Sequence, residues 1–145
     1  MIRQRKASVD DLAIYKLTRR SLLPYTRKHF PAMKLSRSVL RERLAEGVTL
    51  VARGKSGFKG YVHALLRNDT LWIDLLAVRK PYRRTGVGDR LMQNAEEWGK
   101  LKGAKQALLY VNEENNGAKQ FYSRRGYQYW QSNRTLHCDV FMKSL

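Results

Sequence analysis

The run Leu-Leu-Ala-Val at positions 75–78 constrains the fold most. Successive apolar residues oblige a strand to bury both faces, as it does in the middle of a covered sheet. Pro81 then ends the extended run. The turn Arg83-Arg84-Thr85-Gly86-Val87-Gly88 follows, and beyond it Val87, Leu91, Ala95 and Trp98 fall on one stripe of a helix. A central strand must therefore feed directly into an amphipathic helix, predicted over 87–102 and closed by Gly103.

The remaining elements arrange themselves around this unit. Residues 2–6 read as a short strand. Ser8 and Asp11 resemble a capping box with Asp in place of Glu, opening a helix to about position 23 that Pro24 stops. Residues 24–34 read as irregular. Ser36 or Ser38 caps a second helix that Gly47 closes. Strands follow over 48–53, 58–66 and 71–78, joined by turns at 54–57 and at Asn68-Asp69. After the central helix come a strand over 107–111, a helix over 116–125 ended by Gly126, and a hairpin of 127–131 with 135–142. In the last strand Leu136, Cys138, Val140 and Met142 alternate against His137, Asp139 and Phe141, which places His137 and Asp139 together as a candidate dyad. The fold class is mixed α/β (α+β), with helices on the faces of a sheet of about six or seven strands. The 145 residues form one domain, 1–145.

The chain carries 29 Lys+Arg against 12 Asp+Glu, a formal charge of +17. Such a field attracts polyanions. A nucleic-acid or ribosome surface, a phosphate-rich ligand, or solubility alone would each account for it. No RNA-binding signature is present, so nucleic acid is not the favoured partner. A single cysteine, Cys138, excludes an internal disulfide, and no CxxC, HExxH or Cys/His spacing points to a metal. No secretory signal or membrane span is legible, and the expected location is cytoplasmic.

The turn at 83–88 is the strongest chemical signal. Gly86 and Gly88 let main chain approach a ligand. The first turn of a helix offers unpaired N–H groups and a positive dipole end, which suit a phosphate. Arg83 and Arg84 add charge capable of bidentate contact. An ordinary strand-to-helix turn with glycines for packing reads equally well from these residues alone. The dinucleotide fingerprint fails, because Leu91 stands where it needs a third glycine. The P-loop fails as well, because Asp89 and Arg90 follow Gly88.

Two segments, LLAVRKPYRRTGVGDRLM at 75–92 and NNGAKQFYSRRGY at 115–127, resemble the GNAT superfamily of acyl-CoA N-acyltransferases. The first is similar to the family's Gln/Arg-x-x-Gly-x-Gly/Ala after a hydrophobic strand. The second is similar to its Asn-x-x-Ala-x-x-x-Tyr-x-x-x-Gly-Phe, through Asn115, Ala118, Tyr122 and Gly126, with Tyr127 for the usual Phe. The resemblance covers 48–143 well and 1–47 in outline. It implies a mostly antiparallel sheet with about four helices, splayed at the central strands, and acetyl-CoA as acyl donor to an amine.

The resemblance also implies residue roles. Main-chain amides of Arg83, Arg84, Thr85, Gly86, Val87 and Gly88, with Asp89 and Arg90 beside them, would hold the pyrophosphate. The backbone of Leu76, Ala77 and Val78 would pair with the pantetheine arm, and an N–H near Val78 would polarise the thioester carbonyl. Asn115 would hydrogen-bond near the pantetheine. Tyr122 would protonate the departing thiolate, although a core tyrosine beside Phe121 fits the same spacing. For the base, Asp74 stands alone in an apolar run and shares a face with Trp72 and Leu76 under strict alternation. A structural hydrogen bond would also explain it, and Glu113, Glu114 and His63 are further candidates. The charge disfavours polycationic acceptors and leaves neutral or anionic amines, small metabolites or a protein N-terminus. Tyr25, His29, Phe30 and Met33 could line the acceptor side or simply pack a connection. Monomer and homodimer stay open.

Overall fold

The computed structural model describes residues 1–145. In chain order the elements are β1 (Ile2–Gln4), α1 (Ala7–Ser21), α2 (Leu23–His29), α3 (Arg37–Leu44), β2 (Val48–Gly54), β3 (Gly57–Arg67), β4 (Thr70–Val78), α4 (Val87–Leu101), β5 (Gln106–Asn112), α5 (Asn116–Arg124), β6 (Gln128–Asn133) and β7 (Cys138–Ser144). The strands form a single sheet ordered β1-β2-β3-β4-β5-β7-β6. Every pairing is antiparallel except β4 with β5. β4 is the middle strand, as its apolar run requires. No helix is long and apolar enough to cross a membrane.

Each face of the sheet has its own core. On one face Val87, Leu91, Met92 and Ala95 of α4 pack with Leu50, Val62, Ile73, Leu109 and Tyr122. On the other, Ile14 and Leu17 of α1 and Leu40 and Leu44 of α3 pack with Val51, Tyr61 and Ala77. Each fully buried aliphatic side chain contributes about 1.5–3 kcal/mol. The four-residue spacing of Val87, Leu91 and Ala95 is what lets α4 lie flat on the sheet.

Four sequence expectations need correction. Ser8 and Asp11 make no capping box: α1 starts after Lys6, with no side-chain cap. The Lys6 amide donates to Asp10 Oδ2 at 2.7 Å, and Asp11 is bound by Arg5 at 2.5 and 2.8 Å. Asp10 is fully buried, and bonds from Arg3 and Arg53 hold it there, so ion pairing displaced the cap. Pro24 opens a helix instead of ending one, because it stands in the first turn of α2, where its missing N–H costs nothing. Phe141 is buried with Tyr127 and Leu109, and its neighbour Val140 is buried as well, so β7 does not alternate cleanly. Finally, His137 is in the turn before β7, with φ +54°, and does not share a strand face with Asp139. It approaches Glu113, whereas Asp139 pairs with Lys119 at 2.7 Å.

Candidate active site

The sheet comes apart at its centre. β4 and β5 pair only from Thr70↔Gln106 to Ile73↔Leu109. Beyond that, β4 continues with β3 as far as Val78↔Gly60, and β5 continues with β7 as far as Asn112↔Cys138. A bulge marks the parting. Ile73 pairs with Ala64 and Leu75 with His63, so Asp74 is an extra residue without an opposite. Bulges bend a strand and re-aim its side chains. Trp72 and Asp74 keep to the α3 face, whereas Leu76 packs with the α4-side core, so the expected common face of Asp74 and Leu76 does not form.

The edge of β4 beside this opening presents main chain. The Arg79 amide donates to Lys59 carbonyl at 2.8 Å, toward β3. Period-two alternation then turns Ala77 toward β3, and turns the N–H and C=O of Leu76 and Val78 into the opening. Arg83 Nε donates to the Val78 carbonyl at 2.9 Å and its Nη2 to Ser21 Oγ at 3.2 Å. The Arg83 side chain therefore ties the loop to β4 and α1, leaving Arg84 as the free guanidinium of the pair.

After β4 the chain makes one tight turn at Lys80–Tyr82 and two left-handed steps, Arg84 at φ +62° and Gly86 at φ +86°, before α4 begins. The Thr85 hydroxyl donates to the Tyr82 carbonyl. No backbone or side-chain acceptor takes the amides at 84–89, and the first helical bond at this end runs from Arg90 N–H to Gly86 O at 3.1 Å. Those amides and the dipole of α4 form an anion cradle. A Cβ on Gly86 would meet nothing within 4 Å, so φ alone demands glycine there. Gly88 serves packing: a Cβ would come within 3.3 Å of the Phe121 ring. The Asp89 carboxylate turns to Arg125 Nη1 at 3.1 Å.

Tyr122 projects from α5 into the α4-side core, edge-on to Phe121 and Tyr127. Burial pushes its phenol well above the ordinary tyrosine value, and Arg125 offsets this only in part. Its hydroxyl has no hydrogen-bond partner in the protein, yet it is not among the fully enclosed, unpartnered polar atoms. A core tyrosine with a satisfied hydroxyl is therefore not what the fold contains. Asn115 Oδ1 accepts the Ala118 amide at 3.2 Å and caps α5.

On the opposite face, Asp74 lies in a fork: Arg43 Nε donates to Oδ2 at 2.8 Å and Nη2 to Oδ1 at 2.7 Å. His63 Nε2 stands 3.7 Å from Oδ2. His63 Nδ1 faces the Val48 carbonyl at 3.1 Å and Thr49 Oγ1 at 2.8 Å. Nε2 is enclosed and makes no hydrogen bond. Burial lowers the His63 pKa against the pull of Asp74, which keeps the ring neutral. A cavity of about 380 Å³ opens beside Asp74, lined by Arg43, Leu65, Arg67, Trp72 and Tyr110, with the last two rings stacked at 5.5 Å.

Arg43, Trp72 and Tyr110 carry no motif in the sequence, and the partners Arg43 and Asp74 are 31 residues apart. None of Tyr25, His29, Phe30 and Met33 lines that cavity.

Residues 12–127 match the Acetyltransferase (GNAT) family. Among curated proteins, no sequence matches closely enough to count as a relative. Among solved structures, Ard1 from Thermoplasma volcanium superposes with a TM-score of 0.84 at 18% identity, over 100% of this chain and 97% of that one. The PaiA N-acetyltransferase of Thermoplasma acidophilum, solved with coenzyme A, gives 0.81 at 18% identity, over 100% and 98%. Naa50 of Arabidopsis thaliana, solved with the bisubstrate analogue CoA-Ac-MVNAL, gives 0.80 at 16%, over 100% and 98%. At these identities the likeness is one of fold.

Proposed function

The chain belongs to the acetyltransferase (GNAT) family, and from that premise we propose that it moves the acetyl group of acetyl-CoA to a primary amine by direct attack in a ternary complex. The observation that carries this reading is the parting of β4 and β5 beside the free amides that open α4, with Asp74 on the α3 face of β4 and Tyr122 in the core of the α4 face. An acyl group lying in the opening has a route for the amine on the α3 face and an acid on the α4 face.

When bound, acetyl-CoA supplies an acetyl group already activated as a thioester. The free amides of residues 84–89 take its pyrophosphate, and Arg84 adds charge. The main-chain groups of Leu76 pair with the extended arm as a missing strand would. The Val78 N–H polarises the thioester carbonyl, where negative charge grows during attack. Asp74 takes the proton of the incoming ammonium, directly or through water, with the neutral His63 behind it. The Tyr122 hydroxyl, having no other partner, donates to the departing sulfur. Its raised pKa makes it a persistent hydrogen-bond donor and a weak acid, so its contribution is stabilisation of the leaving thiolate with late proton transfer. The Cys138 thiol is pushed up by burial and stays protonated, which disfavours an acyl-enzyme step.

The acceptor is a small metabolite or a protein N-terminus. Arg43 and Arg67 beside the cavity favour a neutral or anionic amine over a polycation. The plant neighbour's bisubstrate analogue supports the idea that one fold holds donor and peptide acceptor together. The test is free thiol released from acetyl-CoA across a panel of amines and peptides, with the acetylated product weighed by mass spectrometry. Thiol release with an N-acetylated product is expected for at least one acceptor. Stabilisation by acetyl-CoA with no product from any amine would replace this reading with a coenzyme-binding module.

A further inference from the structure

We propose that His29, Glu113 and His137 form a binding site for a divalent transition cation, with zinc the ion that suits it best. Their donor atoms all lie within 4.8 Å of one another, although the residues belong to three separate segments. β5 and β7 run side by side to the pair Asn112↔Cys138. One step further, the Glu113 amide donates to the His137 carbonyl at 2.9 Å, so the main chain holds two ligands opposite each other. His137 Nδ1 stands 3.3 Å from Glu113 Oε1. His29 is the last residue of α2, and its ring stacks on His137 with centroids 3.7 Å apart and planes 7° off parallel.

The His29 Nε2 atom makes the case. It is fully enclosed and has no hydrogen-bond partner, a condition that buried polar atoms rarely keep without an unseen ligand. Phe30 lies edge-on to His137 with centroids 6.3 Å apart.

Two imidazoles and one carboxylate form the donor set of a borderline cation, with the fourth tetrahedral position left for water. Parallel rings send their lone pairs side by side, so one imidazole must turn about its χ2 to share an ion. Donor separations then contract to about 3.3 Å, as bonds of about 2.0–2.1 Å at tetrahedral angles require. Lys28 and Lys119 are the nearby cations. Lys28 is matched by Glu114, and Lys119 pairs with Asp139 at 2.7 Å, so neither takes the Glu113 carboxylate, whose one partner is the His137 ring. A bound ion would fasten α2 to the turn before β7 and to the loop that opens α5, two residues before its cap Asn115.

The proposal is independent of acetyl transfer, and its test reads binding. Zinc chloride titrated calorimetrically into the full chain should show one ion per chain with micromolar affinity. His29→Ala and His137→Ala should each weaken binding by more than about 100-fold, beyond the roughly 10–100-fold that outer-shell losses cost. In the unmodified protein, zinc should shift or broaden two of the three histidine proton signals and spare that of His63. Absence of binding up to millimolar zinc, or a zinc affinity that both variants retain, would overturn the site, as would a response at His63 with none at His29 and His137.

Discussion

Arg43 of α3 holds Asp74 of β4 by both carboxylate oxygens, at 2.8 and 2.7 Å, on one face of the sheet. That bond raises the pKa of the guanidinium. A carboxylate gripped in this way accepts a proton only when an incoming ammonium loosens or shares the fork. Asp74→Asn keeps the shape and removes the basic oxygen. It should lower kcat/KM by about 10²–10⁴-fold, the usual worth of a positioned base, with acetyl-CoA affinity changed less than about twofold. Thiol-release kinetics and calorimetry measure the two. A variant with full turnover would reduce Asp74 to a structural ion pair.

Tyr122→Phe removes a hydroxyl that has no partner in the protein. Melting temperature should therefore hardly change, because no hydrogen bond is lost. Turnover should fall by about 10–100-fold with unchanged KM for acetyl-CoA, the pattern of an interaction made in the transition state. Unchanged kcat would assign Tyr122 to packing.

Gly86→Val tests the cradle. The position sits at φ +86° with open space around it, so the cost is conformational and not a clash. Left-handed backbone costs a side chain about 1–2 kcal/mol, and more for a β-branched one. Weaker acetyl-CoA binding is expected by calorimetry, together with a modest loss of melting temperature. Gly88→Ala should instead disturb the contact with Phe121, at 3.3 Å, and lower stability first.

Stability should fall at both ends of the pH scale. The bond from Arg5 is the main force holding the Asp11 carboxyl below its ordinary value; Asp10 is also lowered, since its bonds from Arg3, the Lys6 amide and Arg53 outweigh burial. Their stabilisation is complete above the unfolded carboxylate pKa of about 4 and is lost as pH falls below it through the lower folded-state values. Burial raises Tyr61, Tyr122 and Tyr127. Above about pH 10 the unfolded chain sheds phenolic protons that the folded chain keeps, so stability drops as pH rises. Urea midpoints across pH should trace a plateau with both limbs, and Asp11→Asn should flatten the acid one.

The sequence disclosed the parts of the site that depend on local order. The apolar run at 75–78, the glycines at 86 and 88, and the Asn115–Tyr122 spacing each lie within one strand–turn–helix or one helix, where periodicity and backbone demand act residue by residue. The bulge at Asp74 escaped because an extra residue is visible only against a partner strand, and it moved Leu76 to the other face. Pro24 misled because it can stop a helix or start one, and the packing of Leu23 decided. The Arg43–Asp74 fork and the His29–Glu113–His137 cluster join residues far apart in the chain, and no spacing rule reports such meetings.

Amide hydrogen exchange, with and without acetyl-CoA, tests the central claim most directly. If the opening and the turn hold the donor, the free amides at 84–89 and those of Leu76 and Val78 should exchange far more slowly once it is added. Slowing elsewhere with these amides untouched would contradict the account.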